Sequence, residues 1–274
     1  MKKLFNSALL ASAIFASTAA SAATIDVKVS NLVYSSGTTV DLSATLAAAQ
    51  AAEASFLSSL NGPTVTENFE SIAIVNPNPA GTNENTKWIS ADSSFNTAVG
   101  TFTLTTPGQG SASWSDKSNA ANNLLMIEDG TTGEYGRESF KTKQDRWLDS
   151  NDAKVVTWTL GSPLSGSFNA FGFYLFDAQD ISGKLTLTFK DATTADFDLE
   201  TILTNRTANG NVRYVTVLSD SSIVGGTFTF KTSDSNDGWG IDDITVGSVP
   251  EPGSILLMGL GLLGLGAARR RMKA

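Results

Sequence analysis

The sequence contains no cysteine and no histidine. Their absence excludes disulfide staples, thiol nucleophiles, Ser-His-Asp triads and nearly all zinc or haem sites. Any chemistry has to run on carboxylates, lysine, tyrosine or serine, and a fold without cross-links depends on its apolar core. Positive charge is scarce as well. The 274 residues include 19 basic and 27 acidic ones, and Lys2, Lys3, Arg269, Arg270, Arg271 and Lys273 all lie near the two ends, with Glu251 the one acid there. The segment 23–248 is left with 13 basic against 26 acidic residues, a net charge of −13. Such a surface repels nucleic acid and anionic lipid, and it favours solubility or divalent cations.

Both ends read as addresses rather than fold. Segment 1–22 has Lys2 and Lys3, then Leu9, Leu10, Ile14 and Phe15 among alanines, then Ala20-Ser21-Ala22. That order predicts a secretory signal peptide, cut after Ala22 and handled by the Sec translocon and signal peptidase. At the other end, segment 252–268 is uncharged over 17 residues. As a helix it spans about 25 Å, short of the ~30 Å hydrocarbon core, and Arg269, Arg270 and Arg271 can snorkel to cover the difference. A basic cluster after an apolar run places the extreme C-terminus in the cytoplasm and the domain outside. Pro250 and Pro252 bar helix on either side of Glu251 and keep it extended, in a form that a processing enzyme binds as a strand.

Between the ends lies one expected domain, 23–248. Ile25, Val27 and Val29 alternate with polar residues and predict an opening strand. The next segment is the one convincing helix, over about 42–60, capped by Asp41 or Ser43 and stopped by Asn61-Gly62-Pro63. From Val65 the apolar period becomes two. Strands are expected over 65–74, 99–105, 111–115, 124–128, 155–160, 168–176, 185–190, 195–200, 212–218, 227–231 and 241–246. Frequent short strands, many Gly, Thr and Ser residues and one helix argue for an all-β protein, a β-sandwich of jelly-roll type. Phe168 to Phe176, FNAFGFYLF, is apolar on both faces, as a central strand covered on each side would be. Segment 133–154 is charged and aromatic with weak periodicity, which marks a long loop.

Three constellations are candidates for chemistry. In GWGIDDITV, Asp242 shares strand parity with Ile244 and Val246 and is expected at the inner face, costly there unless hydrogen-bonded or bound to a cation. In DFDLE, Asp196, Asp198 and Glu200 share a strand face; an exposed acidic face is one reading and a catalytic carboxylate set the other. Trp88, Trp114, Trp147, Trp158 and Trp239, with Tyr135 and Tyr174, offer rings able to stack on sugars. Trp158 alternates with Val156 and Leu160 and is expected in the core, which leaves Trp147 and Trp239 as the preferred sugar platforms.

The order Pro-Glu-Pro, short apolar span, arginine cluster resembles the PEP-CTERM sorting signal of Gram-negative bacteria. The resemblance covers about the last 26 residues, 249–274, with the span at 254–268. It implies recognition by an exosortase at Val249, Pro250, Glu251 and Pro252. Transient anchoring in the inner membrane and then release or attachment at the surface of an exopolysaccharide-producing cell are also implied. VTENFES, FNAFGFYLFD and DGWGIDDITVG are similar to the acidic jelly-roll domains found ahead of such tails, which look like carbohydrate-binding modules. Modules of that type often hold a structural Ca²⁺ between an acid on an early strand and acids on the last, which here implies Glu70 with Asp242 or Asp243. DFDLE resembles the clustered acids of retaining β-glucanases, whose nucleophile and acid/base lie about 5 to 5.5 Å apart. That family uses glutamate at both positions, whereas the first acid here is Asp196. The expected role is structural or adhesive, without catalysis and in contact with exopolysaccharide. A secreted carbohydrate-active hydrolase is the alternative, and a purely structural matrix protein a third class.

Overall fold

The computed structural model describes residues 24–36, 39–78, 87–107, 124–132, 145–151, 153–161, 164–166, 168–177, 183–198, 211–230 and 238–249. The chain opens on β1 (Ile25–Val29), followed by a small hairpin of β2 (Tyr34–Ser36) and β3 (Thr39–Val40), and then α1 (Leu42–Ser59). Asp41 is the helix cap: its Oδ1 accepts the backbone N–H of Ala44 at 2.9 Å, satisfying one of the amides that a helix start leaves without a partner. Beyond it run β4 (Val65–Glu67), β5 (Ser90–Asp92), β6 (Ser94–Thr97), β7 (Gly100–Thr106), β8 (Leu125–Glu128) and β9 (Trp147–Asp149). The second half holds β10 (Val155–Thr159), β11 (Phe168–Phe176), β12 (Gly183–Phe189), β13 (Thr194–Asp198), β14 (Val212–Phe230) and β15 (Gly240–Gly247).

Thirteen of these strands form one antiparallel hydrogen-bonded network, folded into two layers by β14. The first half of β14 lies between β1 and β11, and its second half lies between β10 and β12. One layer therefore runs β1–β14–β11–β15, extended by β4 and by β9, β8 and β5. The other runs β13–β12–β14–β10–β7–β6. Two strands were expected where β14 is one, because Ser219-Asp220-Ser221-Ser222 and Gly225-Gly226 look like turn sequence. Instead they form the corner at which the pairing register slips and the strand crosses from one layer to the other. Gly225 is needed there: a Cβ would lie 2.3 Å from the Trp158 carbonyl oxygen of the neighbouring strand. The strand expected over 65–74 stops at Glu67, where Phe69 takes a positive φ of 58°. The strand expected over 111–115 lies outside the described residues.

The layers meet over an aromatic core. Trp158 of one layer stacks on Phe171 of the other at 4.4 Å, and Phe173 meets Phe228 edge-on at 6.0 Å. The opposite face of β11 is covered as well, by α1: Phe56 packs with Ala170, Tyr174, Phe176 and Tyr214. This explains why FNAFGFYLF is buried at every position and apolar on both faces: from Ala170 onward, Phe171, Phe173 and Leu175 fill the sandwich, while Ala170, Tyr174 and Phe176 face the helix. Gly172 makes room for that helix, because a Cβ would lie 2.5 Å from both the Phe56 ring and the Tyr214 hydroxyl.

Candidate functional site

The acids and aromatics singled out in the sequence do not assemble into one site. Asp196 stands exposed on the outermost strand β13, where its carboxylate accepts from the Thr186 hydroxyl at 2.7 Å and pairs with Lys184 at 2.9 Å. The Thr186 hydrogen bond and then Lys184 hold it below the usual aspartate range. That is the direction opposite to the one a general acid needs. Asp198 sits across from Lys184 in the same ladder, and Glu200 lies outside the described residues. Trp147 and Trp239 are not sugar platforms: both rings are buried, Trp147 against Phe176 and Trp239 stacked on Phe228 at 5.1 Å. A ring needs a free face to stack on a sugar, and packing has used these. Trp158 is buried as expected.

Asp242 also corrects its expected orientation. Ile241, Ile244 and Val246 all point into the inter-layer core, although the first two are three positions apart, an odd spacing. The parity changes because Asp243 takes a positive φ of 45° in a bulge, where the register between β15 and β11 slips. Asp242 consequently pairs across from Tyr174 on the helix-covered side, and its carboxylate accepts the Asp243 N–H at 2.7 Å. Glu70 is exposed and engaged elsewhere, accepting the Arg146 backbone N–H at 2.8 Å. Glu70, Asp242 and Asp243 do not converge, and among the described residues no group of three or more acids is placed to hold a metal ion. The buried early acid is Glu67 instead, whose two oxygens accept the backbone N–H groups of Phe69 and Ala98, each at 2.6 Å.

On the helix-covered face, the Tyr174 hydroxyl donates to the Glu53 carboxylate at 2.6 Å, and its ring meets Tyr214 edge-on at 4.9 Å. Burial, then the Glu53 carboxylate, push Tyr174 far above the ordinary phenol range; burial and then Glu53 do the same to Tyr214. Both phenols are locked neutral. This cluster ties α1 to the sheet.

A concave site does exist, on the β5–β8–β9 side. It encloses about 450 Å³ and is lined by Ile74, Pro77, Lys87, Trp88, Ile89, Thr131, Thr132 and Arg146. That volume falls within the usual range for small-ligand clefts. Each part is fixed by neighbouring backbone. Ser90 Oγ accepts the Val75 N–H at 2.9 Å and so holds the segment that presents Ile74, a large apolar side chain left 55 % exposed. Trp88 is half-buried, and its indole N–H donates to the Asn76 carbonyl at 2.7 Å. Arg146 is positioned by Glu70 through its backbone N–H and through Nη1, which donates to the Glu70 carbonyl at 3.2 Å. Thr131 and Thr132 belong to a turn closed by Asp129, whose Oδ1 accepts both the N–H and the hydroxyl of Thr131. The lining combines an apolar floor and a partly open indole with hydroxyls and two cations, in a domain that is otherwise strongly acidic. Sequence reasoning named Trp88 among the stacking candidates but preferred two rings that are buried. It missed Lys87, Ile74 and Arg146, whose only sequence signal is the position of Arg146 in the charged, aromatic segment 133–154.

Val249, the first residue of the sorting motif, is docked on the fold: the Asn169 side-chain amide accepts its N–H at 2.8 Å and donates to its carbonyl at 3.2 Å. Pro250, Glu251, Pro252, the expected span 254–268 and Arg269 to Arg271 lie outside the described residues. Among the described residues, no helix is long and apolar enough to cross a membrane.

Comparison with known proteins separates the tail from the domain. No curated protein matches the chain. Two solved structures share part of its shape at low similarity. One is the isomalto-dextranase of Arthrobacter globiformis T6 complexed with panose, at 11% identity and a TM-score of 0.22, covering 57% of this chain and 23% of that one. The other is the K3 cleaved adhesin domain of Lys-gingipain from Porphyromonas gingivalis w83, at 12% identity and a TM-score of 0.22, covering 54% and 84%. Likenesses this weak carry no argument about function. The PEP-CTERM protein-sorting motif, in contrast, matches residues 248–271, and by that motif the chain is a PEP-CTERM protein, exported with a C-terminal membrane-anchored sorting signal that an exosortase processes.

Proposed function

We propose that the exported domain is a structural or adhesive protein of the cell surface or extracellular matrix, and that it holds exopolysaccharide in the cleft lined by Trp88 and Arg146. The observation that carries this reading is the cleft itself, where a partly open indole and an apolar floor meet hydroxyls and cations. Sugar rings present an apolar face that stacks on indole, with hydroxyls around the rim for hydrogen bonds. The sorting motif supports the same reading, because it marks the protein as exported. Export through the Sec translocon and transient residence in the inner membrane complete the proposed route.

Affinity electrophoresis of the domain through gels containing acidic, neutral or no polysaccharide tests it. Retardation without loss of glycan chain length supports binding, whereas free migration in every gel, with the fold intact, rejects it. Release of reducing ends, abolished by Asp196→Asn and Asp198→Asn, would replace it with the hydrolase alternative. A structural Ca²⁺ is a separate part of the proposal, tested by a thermal melt in EDTA. A fall of several degrees that CaCl₂ restores supports bound cation. An unchanged melt leaves Asp242 as a hydrogen-bonded structural acid.

A further inference from the structure

Val249 is the last described residue, and four residues, 250–253, separate it from the apolar run that begins at 254. Fully extended, they reach at most about 14 Å, roughly twice the polar headgroup layer of one leaflet, which is ~6 Å thick. The junction is also anchored on the domain side. Asn169 clamps Val249 through two hydrogen bonds, and the Asn61 N–H donates to the Ser248 carbonyl at 2.7 Å. A short tether on a fixed exit point cannot let the domain drift or tumble far from the bilayer.

The other end of the domain chain leaves from the same place. Thr24 exchanges two hydrogen bonds with Asp220, its N–H to Oδ1 at 2.9 Å and its carbonyl from the Asp220 N–H at 3.2 Å. Ile25 lies across from Ser219, and Ala170 lies across from both Leu218 and Gly247. β1, β14, β11 and β15 are successive neighbours, so the two exits are three strand spacings apart, about 14 Å. The segment after Val249, which the sequence marks for the membrane, thus departs from the same end of the layer at which the domain begins at Thr24. At that end α1 finishes in Asn61-Gly62-Pro63-Thr64, an exposed loop without charge. An anionic bilayer repels a domain of net charge −13, and this uncharged loop approaches it at less electrostatic cost than the acidic faces, with Asp220 the exposed acid beside the Thr24 exit.

We infer that this end of the sandwich, formed by Asn61 to Thr64, Thr24 and the Asn169–Val249 clamp, faces the lipid surface while the tail is in place. The partner is the bilayer itself and not the processing enzyme. The inference rests on the sorting motif and is independent of glycan binding.

The absence of cysteine makes the test direct. Asn61→Cys and Ser43→Cys place one thiol each at exposed positions at opposite ends of α1, an 18-residue helix about 27 Å long. Each full-length variant is labelled with the same fluorophore and inserted into exosortase-free phosphatidylcholine liposomes that contain a headgroup spin-labelled lipid. Quenching at position 61 at least twice that at position 43 is the expected result. Equal quenching, or stronger quenching at 43, would overturn the inference.

Discussion

At the β13 edge, Asp196 and Asp198 stand on an exposed strand face with Lys184 and Thr186 across from them. At the β5–β8–β9 edge, Trp88, Thr131 and Arg146 surround a concave space. The first edge is where the sequence concentrates its acids, three within five residues. Local density made it look like a site, yet side chains two apart on one strand form a flat row, and Lys184 and Thr186 across the ladder already engage Asp196. The second edge draws on residues from 74 to 146, which mean nothing together until four segments converge. Concavity comes from convergence of distant segments, and flat edges come from alternation within one.

The largest expected effect reaches both edges through the fold between them. Tyr174 and Tyr214 have raised phenol ionisation, so the stability they contribute is complete below the unfolded value of about 10 and is lost as pH rises towards their higher folded values. Above pH 10 the domain is expected to unfold as these two phenols ionise, and glycan retention disappears with it. Absorbance at 295 nm and circular dichroism followed together check this. Ionisation of both phenols near pH 10 with an intact fold would contradict it.

Next in size is Trp88→Ala, expected to weaken polysaccharide retention about tenfold, or ~1.4 kcal/mol. Asp196→Asn with Asp198→Asn should leave retention unchanged in the same gels. If the acid variant weakened retention and Trp88→Ala did not, the two edges would exchange roles. Arg146→Gln should cost less, roughly threefold at low salt and only for acidic glycans, because a partly exposed cation is screened. Equal loss for neutral and acidic glycans would show that Arg146 acts by packing. The smallest effect belongs to Asp196 itself. Its ionisation is lowered, so its small contribution is present above the unfolded value of about 3.9 and fades as pH falls through the folded one. Asp196→Asn should therefore lower the thermal stability slightly at neutral pH and remove that acid limb, so that the two proteins converge in acid; a large shift at neutral pH would mean that the Lys184 pair does more than its exposure allows.

Much of the fold was legible where a local rule sufficed. β11 was expected over 168–176 and forms there because the stretch is apolar on both faces. α1 was expected over about 42–60 and runs from Leu42 to Ser59, with Asp41 as its cap. The failures share a cause, which is that non-local geometry overruled a local pattern. Ser219 to Gly226 has the composition of a turn, but hydrogen-bonding partners on both sides keep it extended as a corner in one strand. Asp242 obeys period-two parity only up to the bulge at Asp243. Trp147 sits in a charged stretch yet packs against Phe176, and no periodicity over three residues could announce β9.

The sequence by itself determined the address and the material of this protein. Export, the sorting motif and the acidic, cysteine-free β-rich domain follow from composition, short motifs and periodicity, which are properties of neighbouring residues. Only the tertiary structure decided which indole stays accessible, which acid is already paired and which end of the sandwich holds both Thr24 and Val249. Burial and strand register depend on what the rest of the chain places alongside, and no local window contains that information.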